Sequence, residues 1–116
     1  MIAVIFEVIP KAGHAEDYFS HAARLKPELE TTDGFISIER FESLTQRGKF
    51  VSLSYWRDED AVKAWRNSMH HRATQRTGRE HVLTDYRLRV ASVLRDYGMF
   101  ERAEAPADSR ALHDSH

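Results

Sequence analysis

The sequence predicts a ferredoxin-like α+β sandwich, a four-stranded antiparallel sheet in the order β-α-β-β-α-β with the helices packed on one face. Three observations carry that reading. Apolar or alternating runs at Ile2–Ile9, Phe35–Glu42, Phe50–Trp56 and from Asp85 onward have strand character. Two longer stretches repeat their apolar residues at helical spacing and separate the first strand from the second and the third from the fourth. The middle strands are joined by a loop short enough for a hairpin, so right-handed crossovers complete a single sheet.

Ile2 to Ile9 is apolar on both faces apart from Glu7 and rich in β-branched residues, the pattern of a central strand buried on two sides. Pro10-Lys11-Ala12-Gly13 ends it. From His14 to Glu30, Ala15, Tyr18, Phe19, Ala22, Leu25 and Leu29 form an amphipathic stripe, and Pro27 predicts a kink or restart near Leu25. Thr32-Asp33-Gly34 is turn chemistry. In the second strand, Ile36 and Ile38 are expected on one side and Phe35, Ser37 and Phe41 on the other. Thr45-Gln46-Arg47-Gly48 returns the chain into the third strand, with Val51, Leu53 and Tyr55 on one face and Phe50, Ser52, Ser54 and Trp56 on the other.

Asp58 reads as a helix N-cap, with Glu59 and Asp60 at the positive end of the helix dipole. Ala61, Val62, Trp65 and Met69 supply the apolar stripe, and Asn67-Ser68 predicts a break before a second helical segment from His70 to His81. The last strand is expected over Asp85–Tyr97. Tyr86, Leu88 and Val90 share one phase and Arg87 and Arg89 the other, but from Ala91 the apolar phase moves to Ala91 and Val93. Such a slip requires a bulge, a change of burial, or a strand that leaves its sheet to pack against a second protomer. The last is preferred, so the chain is read as a homodimer. A twin sheet would also cover the second apolar face of the first strand. Residues 1–98 form the domain, and the polar, aperiodic stretch 99–116 is expected to be a disordered tail.

With 116 residues the chain holds one domain, and 41% hydrophobic with 30% charged residues is ordinary for a globular protein. A formal net charge of −1 argues against nucleic-acid binding through phosphate neutralisation. There is no cysteine, hence no disulfide, thiolate metal site or Cys nucleophile. His70 and His71 are adjacent, a poor metal pair on a helix, and no His-x3-His with a carboxylate stands out, so no metal site is expected. The N-terminal apolar run is too short to span a membrane and lacks a basic leader, so no membrane association and a cytoplasmic location are expected.

The candidate chemistry lies between Trp56 and Arg79. If Met69–Val82 is one helix, His71, Gln75, Gly78, Arg79 and Val82 fall on a single stripe. A neutral His71 beside the Gln75 amide can orient a phenol or take its proton, and Arg79 can stabilise a phenolate or enolate. The same residues also fit a solvated helix face, with Arg79 in a surface ion pair. Trp56 and Trp65 are either core or the aromatic walls of a site for a flat substrate. Glu7 either pairs with an arginine on a neighbouring strand or faces the pocket with a raised pKa.

Several short pieces, in this order and spacing, resemble the antibiotic biosynthesis monooxygenase (ABM) superfamily of dimeric α/β barrels across Ile2–Tyr97. They are Asp33-Gly34-Phe35, Tyr55-Trp56-Arg57-Asp58-Glu59-Asp60-Ala61, Ala64-Trp65-Arg66, His71-Arg72 with Gln75 and Gly78-Arg79, and Arg89-Val90-Ala91 with Arg95-Asp96-Tyr97. The resemblance implies a homodimer whose last strand reaches toward the partner, and a pocket between sheet and helices. It also implies a cofactor-independent monooxygenase acting on a small aromatic of phenol or hydroquinone type. In that scheme His71 is the base, Trp56 and Trp65 are walls, and Gln75, Arg79 and Glu7 complete the substrate site. Members with haem-degrading activity pair a strand-one Asn with a helical Trp and a later His. Trp65 matches that Trp, but the His position falls at Gln75 and the Asn position near Phe6 or Glu7, so no cofactor is expected. The competing expectation is a non-catalytic dimeric protein, binding a small apolar ligand or acting in a stress response.

Overall fold

The computed structural model describes residues 1–75 and 82–113, the side chains of 70–75 and 113 excepted. Its elements are β1 (Ile2–Pro10), α1 (Ala15–Thr31), β2 (Phe35–Glu42), β3 (Phe50–Trp56), α2 (Glu59–Gln75), β4 (Leu83–Ser92) and α3 (Ala107–His113). The strands form one sheet in the order β2-β3-β1-β4, with every neighbouring pair antiparallel. This is the ferredoxin-like α+β fold, and β1 and β3 occupy its interior, as the two-sided apolar pattern of β1 requires.

The ladders assign the two faces. Ile2, Val4, Phe6 and Val8 stand opposite Trp56, Ser54, Ser52 and Phe50 on one side and Ser92, Val90, Leu88 and Tyr86 on the other, and therefore share a face. This face meets the helices. Leu29 of α1, Trp56 of β3 and Ala61 of α2 form the dry core, with Ile2, Val4, Phe35, Ile38, Val62 and Trp65 packed around it. Trp56 is 2% exposed, and its indole N–H donates to Ser54 Oγ at 2.9 Å, which satisfies its one polar atom. Farther along, Phe19 of α1 meets Phe50 edge-on at 4.8 Å. The opposite face presents Ala3, Ile5 and Glu7 beside Tyr55, Leu53 and Val51. The molecule's smallest dimension is 20 Å, room for one sheet and one helix layer.

The junction of β2, β3 and α2 shows why Asp33-Gly34 and Arg57-Asp58 stand where they do. Gly34 has φ +86°, and a Cβ there would lie 2.5 Å from the Ala61 side chain, so only glycine lets β2 pass so close under the first turn of α2. Arg57 N–H donates to Gly34 O at 2.7 Å, and its guanidinium donates to both Asp33 oxygens at 3.1 Å. Asp58 Oδ1 accepts the Ala61 N–H at 2.9 Å, the expected N-cap.

Five local expectations meet a different structure. The β2–β3 register shifts between Phe35 and Ser37, so Phe35 and Ile38 both reach the core and Ile36 is 53% exposed. A strict period of two cannot register that extra residue. α1 runs through Pro27 as one helix, so it does not restart near Leu25. α2 is continuous past Asn67-Ser68, so no break precedes His70. β4 ends at Ser92, not Tyr97, and its ladder to β1 keeps register through Ala91. Its one shift lies at the other end, between Ile9 and Pro10. The apolar phase at Ala91 thus changes because the strand stops, and the dimer reading loses that support. Finally, residues 99–113, expected to be disordered, contain α3. Arg102 donates to Gly98 O and Ser109 Oγ, and Arg110 to the carbonyls of residues 102 and 103. Composition does not announce this order, because arginine hydrogen bonds within the segment and the burial of Ala105 accompany it.

Candidate active site

Between the helix-side face of the sheet and the two long helices lies a cavity of about 1170 Å³, ample for a drug-sized ligand. Val4, Phe6, Ser52, Ser54 and Leu88 form its floor, Tyr18, Ala22, Leu25 and Leu29 of α1 one wall, and Trp65 and Met69 of α2 the other. It exists because the floor of β3 carries serines where a sandwich would normally place large apolar residues. Ser52 and Ser54 are 7% and 6% exposed and leave the space above them unfilled. The rim nearest β4 is open, with Tyr86 62% and Leu88 50% exposed, and the Phe6 and Tyr86 rings meet at a tilt beside it, centroids 5.6 Å apart.

The predicted site residues separate on this frame. Trp65 lines the cavity. Trp56 does not. It stands behind Trp65 in the core, ring centroids 6.4 Å apart, and supports that wall from the dry side. Glu7 belongs to the other face of the sheet, where it is bound by Lys49 at 2.9 Å and by Arg89. Those two cations hold its carboxyl below the usual range, Lys49 most strongly, so the alternative of a pocket carboxylate with a raised pKa is overturned. The alternation of β1 puts Glu7 on the face away from Val4 and Phe6. His71 and Gln75 fall on the last turns of α2, but their side chains, and Arg79 altogether, lie outside the described residues.

Sequence reasoning missed Arg40, Tyr18, His14 and His21, all of which line the cavity. Arg40 was legible in principle, since it shares the phase of Ile38, a charge on the apolar side of a strand. The α1 histidines carried no such signal, because a polar residue on a helix flank is ordinary. His14 Nδ1 pairs with Asp17 at 2.9 Å. Among the described residues no cluster of His, Cys, Asp or Glu is arranged to hold a metal ion, and no helix is long and apolar enough to cross a membrane.

Fold and cavity define a class: a ferredoxin-like sandwich whose sheet and helices enclose a ligand-sized, largely apolar space. Residues 1–77 match the model of the family described as antibiotic biosynthesis monooxygenase. The chain belongs to that family. It is 45% identical over 93 residues to the jasmonate monooxygenase ABM of Pyricularia oryzae, covering 80% of this chain and 43% of the fungal protein. The chain thus spans less than half of that relative. It is 32% identical over 91 residues to the uncharacterized protein YqjZ of Bacillus subtilis, covering 78% of this chain and 77% of YqjZ. Among solved structures, the haem-degrader MhuD from Mycobacterium tuberculosis, with two haems bound in its active site, superposes with a TM-score of 0.68 at 19% identity, covering 84% of this chain and all of the other. At that identity the likeness concerns the fold.

Proposed function

We propose that the protein is a cofactor-independent monooxygenase that oxidises a small, electron-rich aromatic of phenol or hydroquinone type within the cavity under Trp65. The observation that carries this reading is a roomy apolar cavity, floored by Phe6 and walled by Trp65 and Met69, in a chain of this family. The jasmonate monooxygenase at 45% identity supports oxygen insertion as the reaction type. His71, on the same helix as Trp65 and about one and two-thirds turns beyond it, is the base that removes the phenolic proton. The phenolate is electron-rich enough to reduce O₂ at a free ring carbon. A C–O bond forms there, the ring C–H proton is lost, the O–O bond breaks, one oxygen stays as a quinone carbonyl and the other leaves as water. The substrate supplies every electron, so no external reductant enters the balance. Trp65 orients the ring, Gln75 and Arg79 stabilise the anion, and the dry walls keep water from the reactive intermediate.

The test is O₂ uptake with a panel of phenols and hydroquinones, plus jasmonate, on the wild type and on His71→Ala. Turnover that falls by about a hundredfold or more in His71→Ala matches general-base catalysis. Ligands that raise Tm without any O₂ uptake would instead establish a binding protein.

The working unit we infer is a homodimer. Its support is the sheet face opposite the helices, where Ile5, Val51, Leu53 and Tyr55 form an apolar centre that a second copy would cover. Light scattering checks it. The wild type is expected at twice the chain mass and Leu53→Asp at the chain mass, and a monomeric wild type would dismiss the idea.

A further inference from the structure

Among the described residues, one charge in the cavity is left unanswered. Arg40 of β2 lines the floor, and its Nε is buried without a hydrogen-bond partner among the described residues. The acids that share the lining are engaged elsewhere, Asp17 with His14 at 2.9 Å and Asp85 with the N–H of Tyr86 at 2.9 Å. Arg24 and Arg66, the other guanidinium groups of the described lining, belong to exposed residues that water can solvate. A guanidinium N–H removed from water and left unpaired is costly, and buried polar groups almost always find partners.

We propose that Arg40 is the anchor for the carboxylate of an apolar monocarboxylic acid bound in this cavity. The sheet sets out a matching surface. Arg40 stands directly opposite Ser52, Ser52 opposite Phe6, and Phe6 opposite Leu88, so one row across the floor runs from cation through hydroxyl to aromatic and aliphatic carbon. The row crosses three strand spacings, about 14 Å. That distance suits an acid whose head group lies at β2 and whose ring or chain lies over Phe6 and Leu88. The planar guanidinium fork matches a carboxylate, and one cation balances one negative charge, whereas a doubly charged phosphate would retain an excess. The inference shares its cavity with the monooxygenase reading and rests on that reading for location alone.

The experiment titrates octanoate and octanol into the wild type, Arg40→Gln and Arg40→Lys, followed by calorimetry and by the fluorescence of the cavity tryptophan. The wild type is expected to prefer octanoate by about tenfold or more. Arg40→Gln is expected to lose that preference while its affinity for octanol stays within about twofold, and Arg40→Lys to recover part of it. Equal affinities in the wild type, no binding of octanoate, a preference that survives Arg40→Gln, or a parallel loss for both ligands would each overturn the assignment. O₂ uptake reads the other proposal separately. A carboxylate preference without turnover removes the monooxygenase reading alone, and turnover without the preference removes the role of Arg40 alone.

Discussion

The two faces of this sheet treat their charged residues in opposite ways. On the open face Glu7 sits among apolar neighbours, and Lys49, just before β3, and Arg89 of β4 both reach it. On the helix face Arg40 sits beside Ser52, one strand removed from Phe6, and its Nε has no partner among the described residues. Both charges interrupt an apolar surface, but one is answered within the chain. The difference separates a charge that serves the sheet from a charge that serves a ligand. It also explains why Glu7, the more conspicuous of the two in the sequence, is not part of the cavity.

The largest effect is expected where the helix face is dry. Trp56 is 2% exposed and packs against Phe35, with ring centroids at 5.3 Å, as well as against Trp65. Trp56→Ala is expected to cost about 3–5 kcal/mol, read from denaturant unfolding. Trp65→Ala, at the half-buried cavity wall, is expected to cost less in stability and more in ligand affinity. If the two variants were equally destabilised, the division between a packed end and a hollow end of the helix face would fail.

Next in size is the removal of the unanswered charge. Arg40→Leu replaces a buried, unpaired donor with an apolar side chain, so the folded protein is expected to gain about 1 kcal/mol while carboxylate binding is lost. That exchange of function for stability is the mark of a group held for a ligand. A clear loss of stability would show that Arg40 is structural, and the contrast between the faces would collapse.

Much of this fold was legible in the residues. Element order, the hairpin, the Asp58 cap and the faces of β3 all follow from period, turn chemistry and charge at a helix start. What escaped were events that add or subtract a single residue. The bulge beside Ile36 moved Phe35 into the core, and the end of β4 at Ser92 looked like a phase slip. The candidate site was half legible. Trp65 was found because an aromatic on a helical stripe announces itself, while Ser52, Ser54 and the α1 residues were not. A cavity is a property of what small side chains leave empty, and only the assembled layers reveal it.

The smallest effect concerns the open face, and its sign follows from the ion pairs. Lys49 and Arg89 depress the Glu7 carboxyl below its ordinary value of 4.5, so the folded state holds this group ionised more firmly than the unfolded chain does. The stabilisation is therefore complete above that value and disappears as pH falls through the lower, folded one. Asp33, depressed chiefly by Arg57, and Asp58, depressed chiefly by the Ala61 N–H, act in the same direction from an ordinary 3.8. Glu7→Gln should accordingly lower Tm at neutral pH, and the gap from the wild type should close as both are acidified below the ordinary carboxylate range. Added salt should narrow it at neutral pH, since Arg89 is 53% exposed and the pair is only partly shielded from solvent. Thermal melts of the two proteins across acid and neutral pH read this directly. A gap that persists unchanged in acid would mean that the Glu7→Gln variant is weakened through packing, and that the open face does not depend on its charge pair after all.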